Sequence, residues 1–190
     1  MKPSRSANGS WESCIAYIDG GSRGNPGVAG YGVLLVDEQG QSLASLSEGL
    51  GIKTNNVAEY SALVAALQFS VSQKCSKLKV LADSELLVRQ IKGEYRVRNP
   101  ELKVLFEQAR SLIARLKSFS IVHIPREQNR EADRLANLAM DENRKNEGST
   151  RPKLLPLQLQ AVFKNGCFTP LESVDLPENS RVCLNIVRTE

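Results

Sequence analysis

Four acidic residues stand where stretches of regular structure should begin or end. Asp19 closes the apolar run "CIAYI" and precedes "GGSRGNPG"; Glu59 lies in "TNNVAEY", Asp83 follows "LKVLA", and Asp133 lies in "NREADRLAN". Singly, each has an ordinary explanation. Asp-Gly-Gly is turn chemistry, Glu59 three residues after Asn56 has capping-box spacing, Asp83-Ser84 can cap a helix, and Asp133 can answer a helix dipole. Together they suit one cleft. Four carboxylates in a small volume repel one another, and divalent cations are the natural remedy, with hard oxygen ligands favouring magnesium or manganese over zinc. Two such ions about 4 Å apart can bind a phosphate, activate a water and stabilise the leaving oxygen of an in-line displacement. That chemistry is phosphodiester hydrolysis.

The elements that must bring these residues together are legible in outline. Short strands are expected at Cys14–Ile18, Gly30–Val36 and Ser42–Glu48, joined by tight turns as an antiparallel meander. Tyr60, Leu63, Val64, Leu67 and Val71 recur at helical spacing, which predicts a helix from Asn56 to about Lys74. Leu78–Ala82 is a continuous apolar run that suits a central strand buried on both faces. Ser84–Lys92 reads as a short helix, the stripe from Leu102 to Leu116 as a longer one, Phe119–Ile124 as a fifth strand and Arg130–Met140 as a last helix. The order βββαβααβα predicts an α/β fold, a mixed five-stranded sheet with helices on its faces. If Leu78–Ala82 lies beside the first strand, the ends carrying Asp19 and Asp83 are neighbours.

At 190 residues, with 41% hydrophobic residues, the chain can bury a core and carry an appendage. Residues 1–12 read as a tail, 13–140 as the main domain, the charged stretch 141–153 as a linker and 154–190 as a small β piece. The net charge is +4, yet Arg89–Lys117 alone holds eight Lys/Arg against three Glu, either a solvated helix face or a polyanion contact. The four scattered cysteines argue against zinc and against a disulfide framework. The N-terminus lacks a signal-peptide core and no run approaches membrane-spanning length, so a cytoplasmic protein without a membrane partner is expected.

The stretches "YIDGGSRGNPGVAGYG", "TNNVAEYSAL", "ADSELLVRQIKGEYRVRNPEL" and "HIPREQNREADRLAN" resemble, in order, the motifs of type 1 ribonuclease H, in the compact bacterial and archaeal branch without a basic protrusion. The resemblance runs from about Cys14 to Met140. It implies a ribonuclease H-like fold and a metal-dependent endonuclease with two Mg2+ or Mn2+ ions. Such an enzyme cuts the RNA strand of RNA/DNA hybrids to 5′-phosphate and 3′-hydroxyl ends. Asp19, Glu59, Asp83 and Asp133 match the family's metal-binding carboxylates. Gly20 and Gly21 would let the backbone approach the sugar–phosphate chain, and Asn25 would read ribose 2′-hydroxyls. Thr54 and Asn55 precede a helix N-terminus suited to a DNA-strand phosphate, or simply cap it. Arg126, seven residues before Asp133, takes the place of the loop histidine many relatives use in product release; His123 sits inside a strand. Glu85 occupies a site where relatives often have a substrate-contacting glutamine. Without the protrusion, a basic stretch including Arg96 and Arg98 would line the DNA strand.

The segment "QAVFKNGCFTPLESVDLPENSRVCLNI" resembles a small antitoxin-like all-β family of unknown function, implying a dimerisation or protein-contact module over 154–190. Asn165-Gly166 between "AVFK" and "CFT" predicts a hairpin, and Val182, Leu184 and Ile186 alternate as a strand would. Two other classes of function stand beside the nuclease: a non-catalytic nucleic-acid binder, and a regulatory protein acting through its tail. The phosphatase partner found in some tail-bearing relatives needs a phospho-accepting histidine, and none follows His123.

Overall fold

A twelve-residue first strand, β1 (Ser13–Gly24), runs straight through Asp19 and continues along the glycine-rich stretch. It forms one long hairpin with β2 (Gly27–Val36), in register from Ile15 opposite Val36 to Gly24 opposite Gly27. β3 (Ser42–Lys53) completes the meander. β4 (Lys77–Ala82) adds to the other side of β1 in parallel, and β5 (Ser118–His123) adds in parallel to β4, giving the order β3-β2-β1-β4-β5. The helices are α1 (Asn55–Ser72), α2 (Glu85–Ile91), α3 (Pro100–Ile113) and α4 (Arg130–Glu147). The structure is a computed structural model that describes residues 11–147, 161–164 and 167–170. The mixed five-stranded α/β architecture expected from the sequence is observed.

Side chains alternate across a sheet, so neighbouring residues of β1 serve opposite faces. Cys14, Ala16 and Ile18 are buried with Val33 and Leu35 of β2, with Leu78, Val80 and Ala82 of β4, and with Tyr60, Leu63 and Leu67 of α1. Truncating Leu63 or Leu67 to Ala in such a core costs about 2–5 kcal/mol. α1 and α3 pack together over this face, while α4 crosses the other face of β1, β2 and β3. Each of the first three helices starts at a side-chain cap: Thr54 accepts from the Val57 amide, Ser84 from Leu87 and Asn99 from Leu102, the last before Pro100 at the first helical position.

Several expectations are corrected. Asp19 is not at a strand end: the glycines that look like a loop are strand residues, kept small because helices press on both sides of them. A Cβ on Gly20 would lie 2.2 Å from the Ala58 carbonyl carbon in α1, and one on Gly32 would lie 2.3 Å from the Ala132 oxygen in α4. The space a Gly20 side chain would take is thus occupied by α1. Helix α1 begins at Asn55 behind Thr54, so Glu59 sits past the first turn and Asn56 makes no capping box with it. β4 buries alternate residues only; Lys77 and Lys79 are exposed, because α4 does not extend over β4. Helix α4 runs to Glu147, through charged residues whose composition suggested a linker from 141, and Asp141 pairs with Arg23 at 2.5 Å. Trp11, placed by composition in the tail, is buried and stacks at a tilt on Phe69, ring centroids 5.9 Å apart.

Contacts divide the chain into two units, 1–150 and 151–190. In the second, β6 (Ala161–Lys164) and β7 (Cys167–Pro170) pair antiparallel with Lys164 opposite Cys167, while Asn165 and Gly166 lie outside the described residues. The expected strand around Val182–Ile186, the antitoxin-like module as a whole and residues 1–10 of the tail lie outside the described residues. Among the described residues no helix is long and apolar enough to cross a membrane.

Candidate active site

Asp19 lies in the β1–β2 hairpin directly opposite Gly32. The parallel β1–β4 ladder ends at the pair Ile18–Ala82, so Asp83, the next residue of β4, emerges beside Asp19. Because Gly20 has no side chain, α1 settles against β1 and brings Glu59 to the same place. Because Gly32 has none, α4 settles against β2 and brings Asp133, in its first turn, from the opposite face. All four carboxylates line one cavity of about 370 Å³, together with Gly20, Gly21, Asn55 and Arg126. Asn25, Thr54, Glu85, Arg96 and Arg98 lie outside that lining.

Each acid but one is gripped by a neutral or cationic side chain. Glu59 accepts from Asn55 Nδ2 at 2.8 Å through one oxygen and from Ser84 Oγ through the other. Asp83 Oδ1 accepts from Asn129 Nδ2 at 3.0 Å. Asp133 accepts from Arg126 Nη2 at 2.6 Å on Oδ1 and from Asn137 Nδ2 at 3.1 Å on Oδ2. Asp19 is met by the Gly20 amide of its own strand. Burial pushes the Asp19 carboxyl up to about 6; the charges of Asp83 and Asp133 add to this, and the Gly20 hydrogen bond and Arg126 oppose it. Burial pushes Glu59 up to about 7, with Asp19 and Asp83 adding and the bonds from Ser84 and Asn55 opposing. The Arg126 guanidinium is held above its ordinary value, chiefly by its hydrogen bond to Asp133.

These donors fit a hard divalent cation. Every candidate ligand is a carboxylate oxygen, and two of the four groups are held against ionisation chiefly by burial, with the neighbouring carboxylates adding. Among the described residues no three acidic, histidine or cysteine side chains are drawn together as a closed chelate.

The substrate-contact expectations fare unevenly. The Thr54 hydroxyl accepts from the Val57 amide at 3.3 Å, a cap of α1. Asn25 Oδ1 accepts from the Asn55 amide at 3.2 Å, tying the hairpin tip to the start of α1. Glu85 is paired with Arg89 at 2.6 Å, and Arg89 also donates to the Tyr95 hydroxyl at 2.7 Å while lying 5.1 Å from its ring centre. Arg96 and Arg98 are exposed in the α2–α3 connector. His123 Nε2 lies 3.2 Å from the Asp83 carbonyl oxygen, a neighbour's backbone and not a carboxylate of the site.

Ser84, Asn129 and Asn137 escaped the sequence reading. Asn137 had a signal, since it lies four residues after Asp133 on one helix face. Asn129 had none: its partners are 46 and 111 residues away.

Residues 17–139 match the reverse transcriptase-like family. Over 128 residues the chain is 44% identical to the bifunctional protein Rv2228c of Mycobacterium tuberculosis, covering 67% of this chain and 35% of that protein. It thus spans about a third of that relative's length. Ribonuclease HI of Halobacterium salinarum is 40% identical, with 67% of this chain and 64% of the relative covered. The solved N-terminal RNase H domain of Rv2228c superposes with a TM-score of 0.70 at 39% identity, over 72% of this chain and 99% of that one. LC11-RNase H1, solved in complex with an RNA/DNA hybrid, gives 0.64 at 44% identity, over 68% and 98%. With a family match over 17–139 and 39–44% identity to these ribonuclease H proteins and domains, the chain belongs to the ribonuclease H family.

Proposed function

We propose that this chain is an endoribonuclease that hydrolyses the RNA strand of RNA/DNA hybrids, using Mg2+ or Mn2+ ions held by Asp19, Glu59, Asp83 and Asp133. The observation that carries the reading is the convergence of these four acids, from β1, α1, the end of β4 and α4, on one cavity. LC11-RNase H1, similar to this chain over most of the first unit, was solved with such a hybrid. Divalent ions bound there supply the Lewis acidity that phosphodiester hydrolysis needs.

The chain's own residues do the rest. Asp19, with no side chain gripping it, is the acid best placed to serve more than one cation. Asn55 and Ser84 orient Glu59, and Asn137 orients Asp133. Arg126, whose side chain is 75% exposed, can leave Asp133 for a phosphate oxygen when a cation takes its place. Gly20, Gly21 and Asn55 line the floor past which the RNA strand would run. Thr54 and Asn25 act one step back, by fixing the start of α1. Glu85, neutralised by Arg89, is compatible with a passing backbone, and Arg96 and Arg98 are free to meet the DNA strand.

Cleavage of a labelled hybrid in Mg2+ or Mn2+, wild type beside Asp19→Asn, is the test. Cutting by the wild type alone supports the reading. Failure of the wild type with both metals sinks it and leaves a nucleic-acid binder.

A further inference from the structure

Asn129 is wholly buried in the connector before α4; its side-chain amide reaches β1 and Asp83, and its backbone carbonyl takes the first helical bond of α4. Nδ2 donates to the Ile18 carbonyl at 2.8 Å and to Asp83 Oδ1 at 3.0 Å, while its own carbonyl accepts from the Asp133 amide at 3.0 Å. The Ile18 carbonyl belongs to the last pair of the β1–β4 ladder, so the asparagine acts where strand pairing stops. Its Oδ1 is buried without a protein partner. A buried, unpaired acceptor costs about 1–3 kcal/mol, which an apolar side chain in the same space would avoid. An apolar side chain would also leave the Ile18 carbonyl unmet, so the bond to that carbonyl is structural; the bond to Asp83 is the part that closing the ladder does not require.

We infer that Asn129 is the positioning residue of the metal site. It ties one oxygen of Asp83 to the backbone beside Asp19, so that Asp83 offers the other oxygen to a cation at a set distance from the Asp19 carboxylate. The inference rests on the proposed metal chemistry and deepens it. Groups that orient metal ligands from behind typically change metal affinity 10–100-fold when removed. Asn129 touches neither metal nor substrate, so its effect is on cation affinity and turnover, with hybrid binding preserved.

The experiment is calorimetric titration of the full chain with Mn2+ alone, then Mg2+ alone, for wild type, Asn129→Ala and Asn129→Ser, with melting temperatures recorded metal-free. Expected is a Kd for Mn2+ raised about tenfold or more in both variants, and a hybrid KM within a factor of about two. In the Asp83→Asn background, replacing Asn129 should change Mn2+ affinity little, because its route to the metal is gone. A lowered metal-free melting temperature with unchanged Mn2+ affinity overturns the inference in favour of a purely structural role. Equal losses with and without Asp83 overturn it as well, as does failure of both variants to fold even with metal. Failure of the wild type to bind either cation is a different result: it removes the metal reading itself.

Discussion

Arg126 Nη2 lies 2.6 Å from Asp133 Oδ1, an ion pair between an exposed connector and the first turn of α4. A pair this exposed adds little to stability. Its position, on the lining shared by all four carboxylates, gives it a different importance. Arg126→Ala should leave the melting temperature nearly unchanged and lower kcat by roughly tenfold or more, as loss of a donor to developing phosphate charge does. Arg126→Lys should recover part of that loss. Steady-state kinetics at saturating Mg2+ decides it; an unchanged kcat would confine Arg126 to the surface.

Asp19 and Glu59 carry carboxyls pushed up to about 6 and about 7 from ordinary values of 3.8 and 4.5. A folded-state value above the unfolded one means that the protonated folded form is favoured. The stability contribution is complete below about pH 4 and is lost as pH rises through 6 to 7. The metal-free protein should therefore melt progressively lower from pH 5 to pH 8. Saturating Mg2+ should restore most at pH 8, where the ionised groups need a cation, and cleavage should rise over pH 6–8. A flat metal-free melting profile would contradict this.

The same reasoning gives Asp19→Asn an opposite sign for stability and activity. The amide removes a buried charge that is costly at pH 8, by an amount on the order of 1–3 kcal/mol. Its metal-free melting temperature should exceed that of wild type by several degrees, while Mn2+ stabilisation and hybrid cleavage disappear. Differential scanning calorimetry with and without Mn2+ reads both.

Arg96 and Arg98 lie beyond the cavity, exposed and outside every ion pair seen among the described residues. If they meet the DNA backbone, changing both to Ala should weaken hybrid binding and reduce the slope of log affinity against log salt by roughly one unit per arginine. Fluorescence anisotropy from 50 to 200 mM salt measures it. An unaltered slope would move the DNA strand elsewhere.

Asp83 and Asp133 are legible because they stand beside element boundaries, whereas Asp19, inside β1, and Glu59, past the first turn of α1, are legible only as acids that interrupt apolar runs. Short turns made the β1–β2–β3 meander legible, while the place of β4 beside β1 was a condition and that of β5 was open. What stayed hidden shares a physical cause: it depends on the second partner of a contact. The run Gly20–Gly27 carries turn composition, yet only Asn25-Pro26 turns; Gly20 to Gly24 are strand, and the close seat of α1 on Gly20 requires a glycine there. The Leu78–Ala82 stretch promised burial on both faces, but α4 spans β1 to β3 alone and leaves Lys79 in solvent. Helix α1 was placed one residue late because Thr54, not Asn56, holds its cap. Asn129 exerts its effect across 46 and 111 residues, a separation no local pattern encodes.

The two glycines of the hairpin make the site a caliper. Gly20 seats one jaw, α1 with Glu59, and Gly32 seats the other, α4 with Asp133, with Asp19 at the pivot between them. A methyl group at either seat would force its own jaw outward by overpacking, at about 1–3 kcal/mol, and would leave its counterpart in place. Gly32→Ala should thus widen the Asp19–Asp133 gap while sparing Glu59. Since Mn2+ is larger than Mg2+, the jaw opening would gauge which of the two the proposed site accepts better.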